Sequence, residues 1–165
     1  MTQGQSLASE VAHPMPATAQ ITFAPYARNS RGSCLALFDA NCPDFFAPNE
    51  RDEYSRFLDS NPPGYELCLI DANIVGAFGL AGDGDGKRRL NWILLNPMYQ
   101  GVGAGRAMME RVSARAASEG VAVVEIAASH KSAAFFARFG AVSMKVTHDG
   151  WGPDMHRVDM EWRLP

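Results

Sequence analysis

A glycine-rich segment near the middle of the chain carries residues that could bind a phosphate. Residues 100–106 have the sequence Gln-Gly-Val-Gly-Ala-Gly-Arg, follow an apolar run at 90–95, and lead into a helical pattern that reaches about Glu119. The first turn of a helix leaves backbone N–H groups without partners and carries the positive end of the helix dipole. Glycines allow a ligand to approach that backbone closely. The pattern therefore predicts a phosphate-binding loop between a strand and a helix.

The glycine spacing separates this loop from two common phosphate motifs. A Walker loop closes with Gly-Lys-Ser or Gly-Lys-Thr, and this loop does not. A dinucleotide fingerprint requires Gly-x-Gly-x-x-Gly and an acidic residue about 20 positions further on. Here the glycines fall at 101, 103 and 105, and the acidic candidate, Glu125, lies inside the next strand pattern. The spacing therefore disfavours a dinucleotide-dependent oxidoreductase, while a glycine-rich turn that only begins a helix remains as the structural alternative.

The elements that must position this loop follow from hydrophobic periodicity and from glycine and proline breaks. Strands are predicted over residues 21–27, 65–70, 74–80, 89–95, 121–127, 141–147 and 156–164, and helices over about 30–40, 50–59, 104–119 and 132–139. The resulting order, β-α-α-β-β-β-α-β-α-β-β, predicts an α/β fold with a mixed, mostly antiparallel twisted sheet and helices on both faces. The helix at 104–119 should cross over right-handed and make its flanking strands parallel.

Composition and charge restrict the class of protein. The 165 residues are 47% apolar and 20% charged, which is ordinary for one soluble globular domain. We expect residues 1–19 to be a flexible tail before a single domain at 20–165. The formal charge of -3 offers no reason to expect nucleic acid or a membrane as partner. The start of the chain lacks the features of a signal peptide, so a cytoplasmic location is expected.

No metal site is predicted. Cys34, Cys42 and Cys68 are odd in number and lack metal-ligand spacing, so we interpret them as reduced thiols. The turn at 82–86 contains an Asp-x-Asp-Gly pattern typical of a calcium loop, but the twelfth position counted from Asp83 is Leu94 rather than Glu. We therefore predict a hairpin tip there, and a second, longer turn at 148–154.

The pattern Gln-x-x-Gly-x-Gly at residues 100–105 resembles the acyl-CoA pyrophosphate loop of the GCN5-related N-acetyltransferases, and the element order is similar to their fold over about residues 21–164. The resemblance implies acetyl-CoA as cofactor. In that family the strand before the loop carries a bulge, separates from its neighbour, and admits the pantetheine arm, whose amides pair with backbone groups. By resemblance those backbone groups belong here to Leu94, Leu95 and Asn96. The side chains of the two leucines can belong to the core at the same time, because the implied role is that of the backbone.

Two further segments resemble the same family. Within 129–141, Ser129 stands where the family often has Asn, and Phe136 stands where family members have a Tyr that protonates the leaving thiolate. Phe136 cannot supply that proton, so another group or water must. Residues 41–48, Ser129-His130 and Asp149-Gly150-Trp151 together are similar to a subgroup of bacterial acetyltransferases whose substrates are unassigned. The cofactor-binding residues implied by the resemblance are Leu94, Leu95, Asn96, Gln100, Gly101, Val102, Gly103, Ala104, Gly105, Arg106, Ser129, Ser132 and Phe136.

Acetyl transfer to an amine requires a group that accepts the ammonium proton. His130 follows the predicted central strand, His156 opens the last strand, and Glu50 and Glu53 belong to the second helix, near where this fold usually builds its acceptor wall. We predict His130, His156 and Glu50 as catalytic candidates, although each also has a structural interpretation as a surface or hydrogen-bonded residue. The predicted acceptor pocket is lined by Phe45, Phe46 and Trp151, with core packing as the alternative for the two phenylalanines.

The sequence therefore predicts an acetyl-CoA-dependent N-acetyltransferase that moves an acetyl group to a primary amine by direct transfer in a ternary complex. No cysteine lies where a covalent acetyl carrier would be expected. The acceptor is a small-molecule or peptide amine, and a homodimer is compatible with the resemblance. The missing Tyr leaves one alternative, a non-catalytic acyl-CoA-binding or sensing module.

Overall fold

The computed structural model describes residues 20–82, 84 and 86–165. The tail predicted for residues 1–19 lies outside the described residues, as do Asp83 and Asp85 of the predicted hairpin tip. The strands are β1 (Ile21–Pro25), β2 (Tyr65–Ile70), β3 (Asn73–Ala81), β4 (Lys87–Leu95), β5 (Val123–Ser129), β6 (Val142–Gly152) and β7 (Met155–Arg163). The helices are α1 (Arg31–Asn41), α2 (Arg51–Asp59), α3 (Ala104–Ser118) and α4 (Ala133–Ala137), with 3₁₀ turns at Arg28–Ser30, Pro48–Glu50 and Pro97–Tyr99.

The strands form one mixed sheet in the order β1-β2-β3-β4-β5-β7-β6. Neighbouring strands are antiparallel except for β4 and β5, which α3 connects and which run parallel. The predicted fold class and element order are therefore confirmed, including the parallel pair on either side of the glycine-rich loop. Among the described helices, none combines the length and apolar character needed to cross a bilayer.

Helices cover both faces of the sheet because side chains alternate along each strand. On β2, Leu67 packs in a cluster with Phe38 of α1 and Tyr54 of α2. The next residue, Cys68, packs in the other cluster, with Met108 of α3. Each face of the central strands is therefore a separate hydrophobic layer, and the cleft described below opens between elements of both layers.

The C-terminal end of α3 explains why β5 begins later than predicted. Gly120 adopts a positive φ of 71°, and the Val121 N–H donates to the Ala116 carbonyl at 2.8 Å. This bond closes the end of the helix, as glycine at that position commonly allows. Because Val121 belongs to the helix cap, β5 begins at Val123 rather than at 121 and extends to Ser129.

The turn predicted at 148–154 is wrong in extent, because β6 continues to Gly152. The ladder with β7 is irregular there: Thr147 pairs with Arg157, and the next pair is Gly152 with Met155. Asp149 lies at φ +51°, and its Oδ1 accepts the Asp154 N–H at 2.9 Å. The segment therefore bulges while remaining part of the sheet edge, which sequence alternation alone does not reveal.

A bulge in β4 separates that strand from β5. Ala77 pairs with Leu94 and Gly79 pairs with Asn91, so Trp92 and Ile93 together oppose one residue of β3. Trp92 has φ +41°, a conformation that costs a non-glycine residue on the order of 1–3 kcal/mol. On the other side, β4 pairs with β5 only over Lys87–Arg89. Beyond those three pairs the strands diverge and leave an opening in the middle of the sheet.

A pair of buried tyrosine hydroxyls holds the bulge. Tyr65 Oη donates to the Trp92 carbonyl at 2.7 Å, and the Tyr54 and Tyr65 hydroxyl oxygens lie 2.8 Å apart. Since the Tyr65 proton is used by the carbonyl, Tyr54 is the donor between the two hydroxyls. Burial raises the pKa of both phenols, so both remain protonated donors. The Trp92 ring packs on Tyr54 with centroids 4.8 Å apart.

Tyr65→Phe should weaken the fold and acetyl-CoA binding together. The variant leaves the Trp92 carbonyl and the Tyr54 hydroxyl without their buried partner, which should cost about 1–3 kcal/mol of unfolding free energy. Chemical denaturation measures the stability, and calorimetry measures acetyl-CoA affinity. Tyr99→Phe is the control, because no hydrogen bond of the Tyr99 hydroxyl occurs among the described residues. Wild-type stability and affinity in the Tyr65→Phe protein would contradict the role given to this hydroxyl.

Candidate active site

The opening between β4 and β5 belongs to a cleft of about 1380 Å³. One end of the cleft is formed by the glycine-rich loop and by residues around α4, including Gln100, Arg106 and Arg138. The other end is formed by the segment between α1 and α2 together with the β6–β7 hairpin. The cleft therefore joins a helix N-terminus to a wall built from two distant parts of the sequence.

Gly101 and Gly103 are needed for the backbone conformation of the loop, and Gly105 is needed for the close packing of α4. Gly101 and Gly103 adopt φ values of +83° and +92°, and a Cβ added to either would meet no atom within 4 Å. Gly103 is the N-cap of α3, whose first turn contains no acidic residue. At Gly105 a Cβ would lie 3.0 Å from the Phe135 ring of α4. The first two glycines therefore leave space in front of the helix N-terminus, and the third lets α4 approach.

The cleft contains most of the residues proposed from the sequence. From the cofactor set, the lining includes Leu94, Leu95, Gln100, Gly101, Gly103, Gly105, Arg106, Ser129, Ser132 and Phe136. From the catalytic and acceptor sets, it includes Glu50, Phe45, Phe46 and Trp151. These residues come from β4, β5, α4, the loop before α3, the segment before α2, and β6, and only the tertiary structure brings them together.

Five proposed residues do not line the cleft. Val102 is exposed, Ala104 is buried, and Asn96 is half-buried. The Asn96 N–H donates to the Val75 carbonyl at 2.8 Å, and its Oδ1 accepts the Met98 N–H at 3.0 Å. Asn96 therefore ties the end of β4 to β3 and begins the 3₁₀ turn before the loop. The other two, His130 and His156, lie at the junction of β5 and β7.

Backbone contacts explain where the two histidines lie. The His130 N–H donates to the His156 carbonyl at 2.9 Å, and the His130 Nδ1 accepts the His156 N–H at 3.0 Å. The imidazole of His130 thus takes the place of a backbone acceptor and extends the β5–β7 ladder by one residue. The His156 Nδ1 accepts the Asp149 N–H at 3.0 Å. Both rings have structural partners outside the cleft, and their catalytic assignment stays a prediction without support from this geometry.

Three side chains near these histidines could approach a metal ion. Donor atoms of His148, Asp149 and His156 lie within 4.8 Å of one another. However, the lone pair of the His156 Nδ1 already accepts a backbone N–H, and Asp149 Oδ1 accepts another. The cluster therefore satisfies the backbone of the β6–β7 hairpin, and we assign no metal to it.

Glu50 is a buried carboxyl on the wall of the cleft. Glu50 is the last residue of the 3₁₀ turn Pro48–Glu50, and its Oε2 accepts the Ala47 N–H at 2.8 Å. Burial raises the pKa of Glu50 to about 7; the Ala47 N–H opposes this rise, and the nearby charge of Glu53 adds to it. Within the described chain, no Lys, Arg or His nitrogen lies within 4.0 Å of either carboxylate. Glu50 is therefore a group that can exchange a proton near neutral pH.

Trp151 forms a fixed aromatic surface beside Glu50. Its indole N–H donates to the Ala128 carbonyl at 2.9 Å, and its own carbonyl accepts the Asn49 side-chain amide at 2.8 Å. The Arg157 guanidinium covers the indole ring at 4.8 Å and pairs with Asp159 at 2.9 Å. These contacts connect the β6–β7 hairpin both to the end of β5 and to the turn that carries Glu50.

Several lining residues were not proposed from the sequence. They include the cations Arg89, Lys131, Arg138 and Arg157, together with Asn41 and Trp92. Trp92 sits in an apolar run where a core role is the ordinary interpretation, and only the bulge turns it toward the cleft. The charge of Lys131 and Arg138 next to the Ser129–Ser132 turn is the one signal that could have indicated a phosphate contact.

The model of the acetyltransferase (GNAT) family matches residues 34–141, more than half of the chain. No curated protein matches the sequence. Similar solved structures include a GNAT-family protein from Desulfovibrio desulfuricans, with 19% identity and a TM-score of 0.71, covering 88% of this chain and 100% of that one. Another is the ribosomal-protein-S18-alanine N-acetyltransferase from Escherichia coli, with 14% identity, a TM-score of 0.71, and 88% and 94% coverage.

A third similar structure is an aminoglycoside 6'-N-acetyltransferase complexed with coenzyme A, with 12% identity, a TM-score of 0.67, and coverage of 87% of this chain and 98% of that one. At these identities the solved structures show the shared fold, which agrees with the resemblance found in the loop and in the element order. The family model adds a match in sequence that runs from within α1 to the residue before β6. The chain belongs to the GNAT family of acetyltransferases.

Proposed function

We propose that this GNAT acetyltransferase is an N-acetyltransferase that transfers the acetyl group of acetyl-CoA directly to a primary amine, with Glu50 as the base. The observation that carries the proposal is the Glu50 carboxyl, which is buried on the cleft wall with a pKa of about 7 and one hydrogen-bond donor. Membership of the family makes acetyl-CoA the cosubstrate. The two ends of the cleft supply the groups that each reactant needs.

The loop end of the cleft suits the phosphates of the cosubstrate. Gly101 and Gly103 leave the space before α3 open, and the cations Arg106, Lys131 and Arg138 belong to the lining of the cleft. None of these three cations has an acidic partner within 4.0 Å among the described residues. Arg106 and Arg138 rest on the rings of Phe139 and Phe135, each at 5.6 Å, which leaves their N–H groups available to phosphate oxygens.

Glu50 would make the amine nucleophilic. An amine reaches the cleft as an ammonium, and a carboxylate with a pKa near 7 can take its proton and pass it to water. The neutral nitrogen then forms the C–N bond to the acetyl carbon while the C–S bond breaks, and the nitrogen loses its second proton to water. The departing thiolate takes a proton from water, because Phe136 has no hydroxyl and the Ser129 and Ser132 hydroxyls are bonded to each other at 3.0 Å.

The cysteines support direct transfer. None of Cys34, Cys42 and Cys68 lines the cleft. Burial raises the pKa of the Cys34 and Cys68 thiols to about 11, so neither provides a thiolate at neutral pH. A covalent acetyl-cysteine therefore has no suitable residue in the site, and the ternary-complex route remains.

The second candidate function is a non-catalytic acyl-CoA-binding module. It is favoured by Phe136, which is buried on the cleft at the position where the resemblance places a proton-donating Tyr. The two functions differ in turnover: an enzyme releases CoA when an amine is added, and a binding module does not. Thiol release measured over a panel of primary amines separates them.

Gly103→Glu should abolish acetyl-CoA binding in a folded protein. A carboxylate at this position would occupy the open space before α3 and repel the phosphates. Gly120→Glu is the matched control, since Gly120 also has a positive φ and no atom near its Cβ position, but caps the opposite end of the same helix. Calorimetry on both proteins tests the site. Equal affinity in the Gly103→Glu and wild-type proteins would place the phosphates elsewhere.

Glu50→Gln should lower kcat/KM by about 10²-fold or more, the usual scale for a lost general base. The limb of the pH–rate profile near pH 7 should disappear, and acetyl-CoA affinity should change little. Gln can still accept the Ala47 N–H, so the turn should be preserved. His130→Ala is the comparison: it should lower the melting temperature and keep kcat/KM close to that of the wild type. Loss of kcat/KM in His130→Ala, with wild-type kcat/KM in Glu50→Gln, would instead assign the proton transfer to His130.

Stability should also depend on pH through Glu50. The folded protein holds this proton more tightly than the unfolded chain, whose Glu pKa is about 4.5. The stabilisation is therefore full below about pH 4.5 and is lost as the pH rises through about 7, a change of roughly 3 kcal/mol. Relative to Glu50→Gln, the wild type should lose unfolding free energy between pH 5 and 8 in denaturation experiments. Asp52→Asn, an exposed change at the start of α2, should follow the wild type, and a flat difference for Glu50→Gln would refute the burial argument.

A further inference from the structure

The end of the cleft opposite the loop has the character of a cation site. Glu50 and Glu53 lie one helical turn apart and both line this end. No basic nitrogen lies within 4.0 Å of either carboxylate in the part of the chain that the structure describes. Arg157 of the β6–β7 hairpin, which also lines this end, is paired with Asp159 at 2.9 Å. A positively charged group on the acceptor is therefore the partner that this end lacks.

The burial of Glu50 increases the energetic benefit of a cationic partner. The residue is 4% exposed and receives one hydrogen bond, from the Ala47 N–H. A buried carboxylate that faces a cleft with a single donor is costly, and an ammonium placed beside it would relieve this cost. The structure thus contains an incompletely paired acid at the position where an amine must lose its proton.

Aromatic side chains surround these carboxylates. The rings at this end belong to Phe45, Phe46, Trp92 and Trp151, and all four are half-buried. Phe46 and Trp92 are stacked with centroids 6.0 Å apart, and hydrogen bonds at two points fix Trp151. Partly exposed rings in a cleft favour a flat apolar ligand, although the Arg157 guanidinium already lies over the Trp151 ring at 4.8 Å.

We infer that the acceptor is an arylalkylamine: a primary ammonium carried on an aromatic group through a short chain, with no carboxylate beside the amine. This inference rests on the proposed function and names its acceptor class. A carboxylate on the carbon next to the amine would lie against Glu50 and Glu53, and Arg157, the cation that the β6–β7 hairpin brings to this end, is already paired with Asp159. Free amino acids are therefore rejected by like charge, whereas amines of the same carrier without the carboxylate are accepted.

Matched acceptors test the class. Tryptamine and tryptophan differ only in the carboxylate, and tryptophanamide keeps the carbon skeleton while removing the charge. With thiol release as readout, kcat/KM for tryptamine should exceed that for tryptophan by about 10²-fold or more, and tryptophanamide should recover much of the difference. Ethanolamine tests the aromatic carrier and should be a poor acceptor. Faster turnover of tryptophan or ethanolamine than of tryptamine would overturn the inference and leave the N-acetyltransferase proposal standing.

Two variants of Trp151 test the aromatic surface. Both Trp151→Phe and Trp151→Leu lose the indole N–H bond to Ala128, but only the first keeps an aromatic face. Trp151→Leu should raise the KM for tryptamine about 10-fold more than Trp151→Phe does, with the KM for acetyl-CoA unchanged in both. Equal tryptamine KM values in the two folded variants would contradict the role of the ring.

Calorimetry of tryptamine with the CoA-loaded protein separates failure of this inference from failure of the proposed function. Binding of tryptamine and not tryptophan, without turnover of any amine, would support the acceptor class and refute the enzyme. Turnover of other amines without tryptamine binding would do the opposite. Absence of both would overturn both.

Discussion

The divergence of β4 from β5 is the constraint on which the site depends. Backbone groups in the centre of a sheet normally pair with the next strand, so a strand that leaves its neighbour must satisfy those groups in another way. Here the bulge at Trp92 turns the chain, and the Tyr65 hydroxyl supplies the donor for the Trp92 carbonyl. The tyrosine pair lies in the layer beneath α1 and α2, so the packing of those helices supports the opening on which the cleft depends.

The same opening divides the cleft by charge. The backbone N–H groups at the start of α3 and the cations Arg106 and Arg138 lie at one end, and Glu50 and Glu53, which have no basic partner among the described residues, lie at the other. In a cleft with protein walls such charges act over longer distances than they would in water. In the proposed reaction, the phosphate-bearing cosubstrate and a cationic acceptor would approach from opposite ends, and the reacting atoms would meet where β4 and β5 have separated.

Glu50 and His130 differ in where the fold places each side chain. Histidine is the residue type that usually titrates near neutral pH, and His130 follows the central strand. The sequence therefore predicted His130 as a catalytic candidate. In the structure its Nδ1 is an acceptor in the β5–β7 ladder. Glu50, an ordinary acid by type, acquires a pKa near neutrality because the turn before α2 buries it against the cleft.

The sequence by itself determined the order of strands and helices, the glycine-rich loop at the start of α3, and the family. Those features depend on local periodicity and on residues within a few positions of one another. It also indicated Phe45, Phe46, Glu50 and Trp151, which do line the cleft. Only the tertiary structure decided the bulge at Trp92, the extension of β6 to Gly152, and the exclusion of His130 and His156 from the cleft. Each of these results from contacts between residues far apart in the chain, such as Tyr65 with Trp92 and Asn49 with Trp151, which local patterns do not encode.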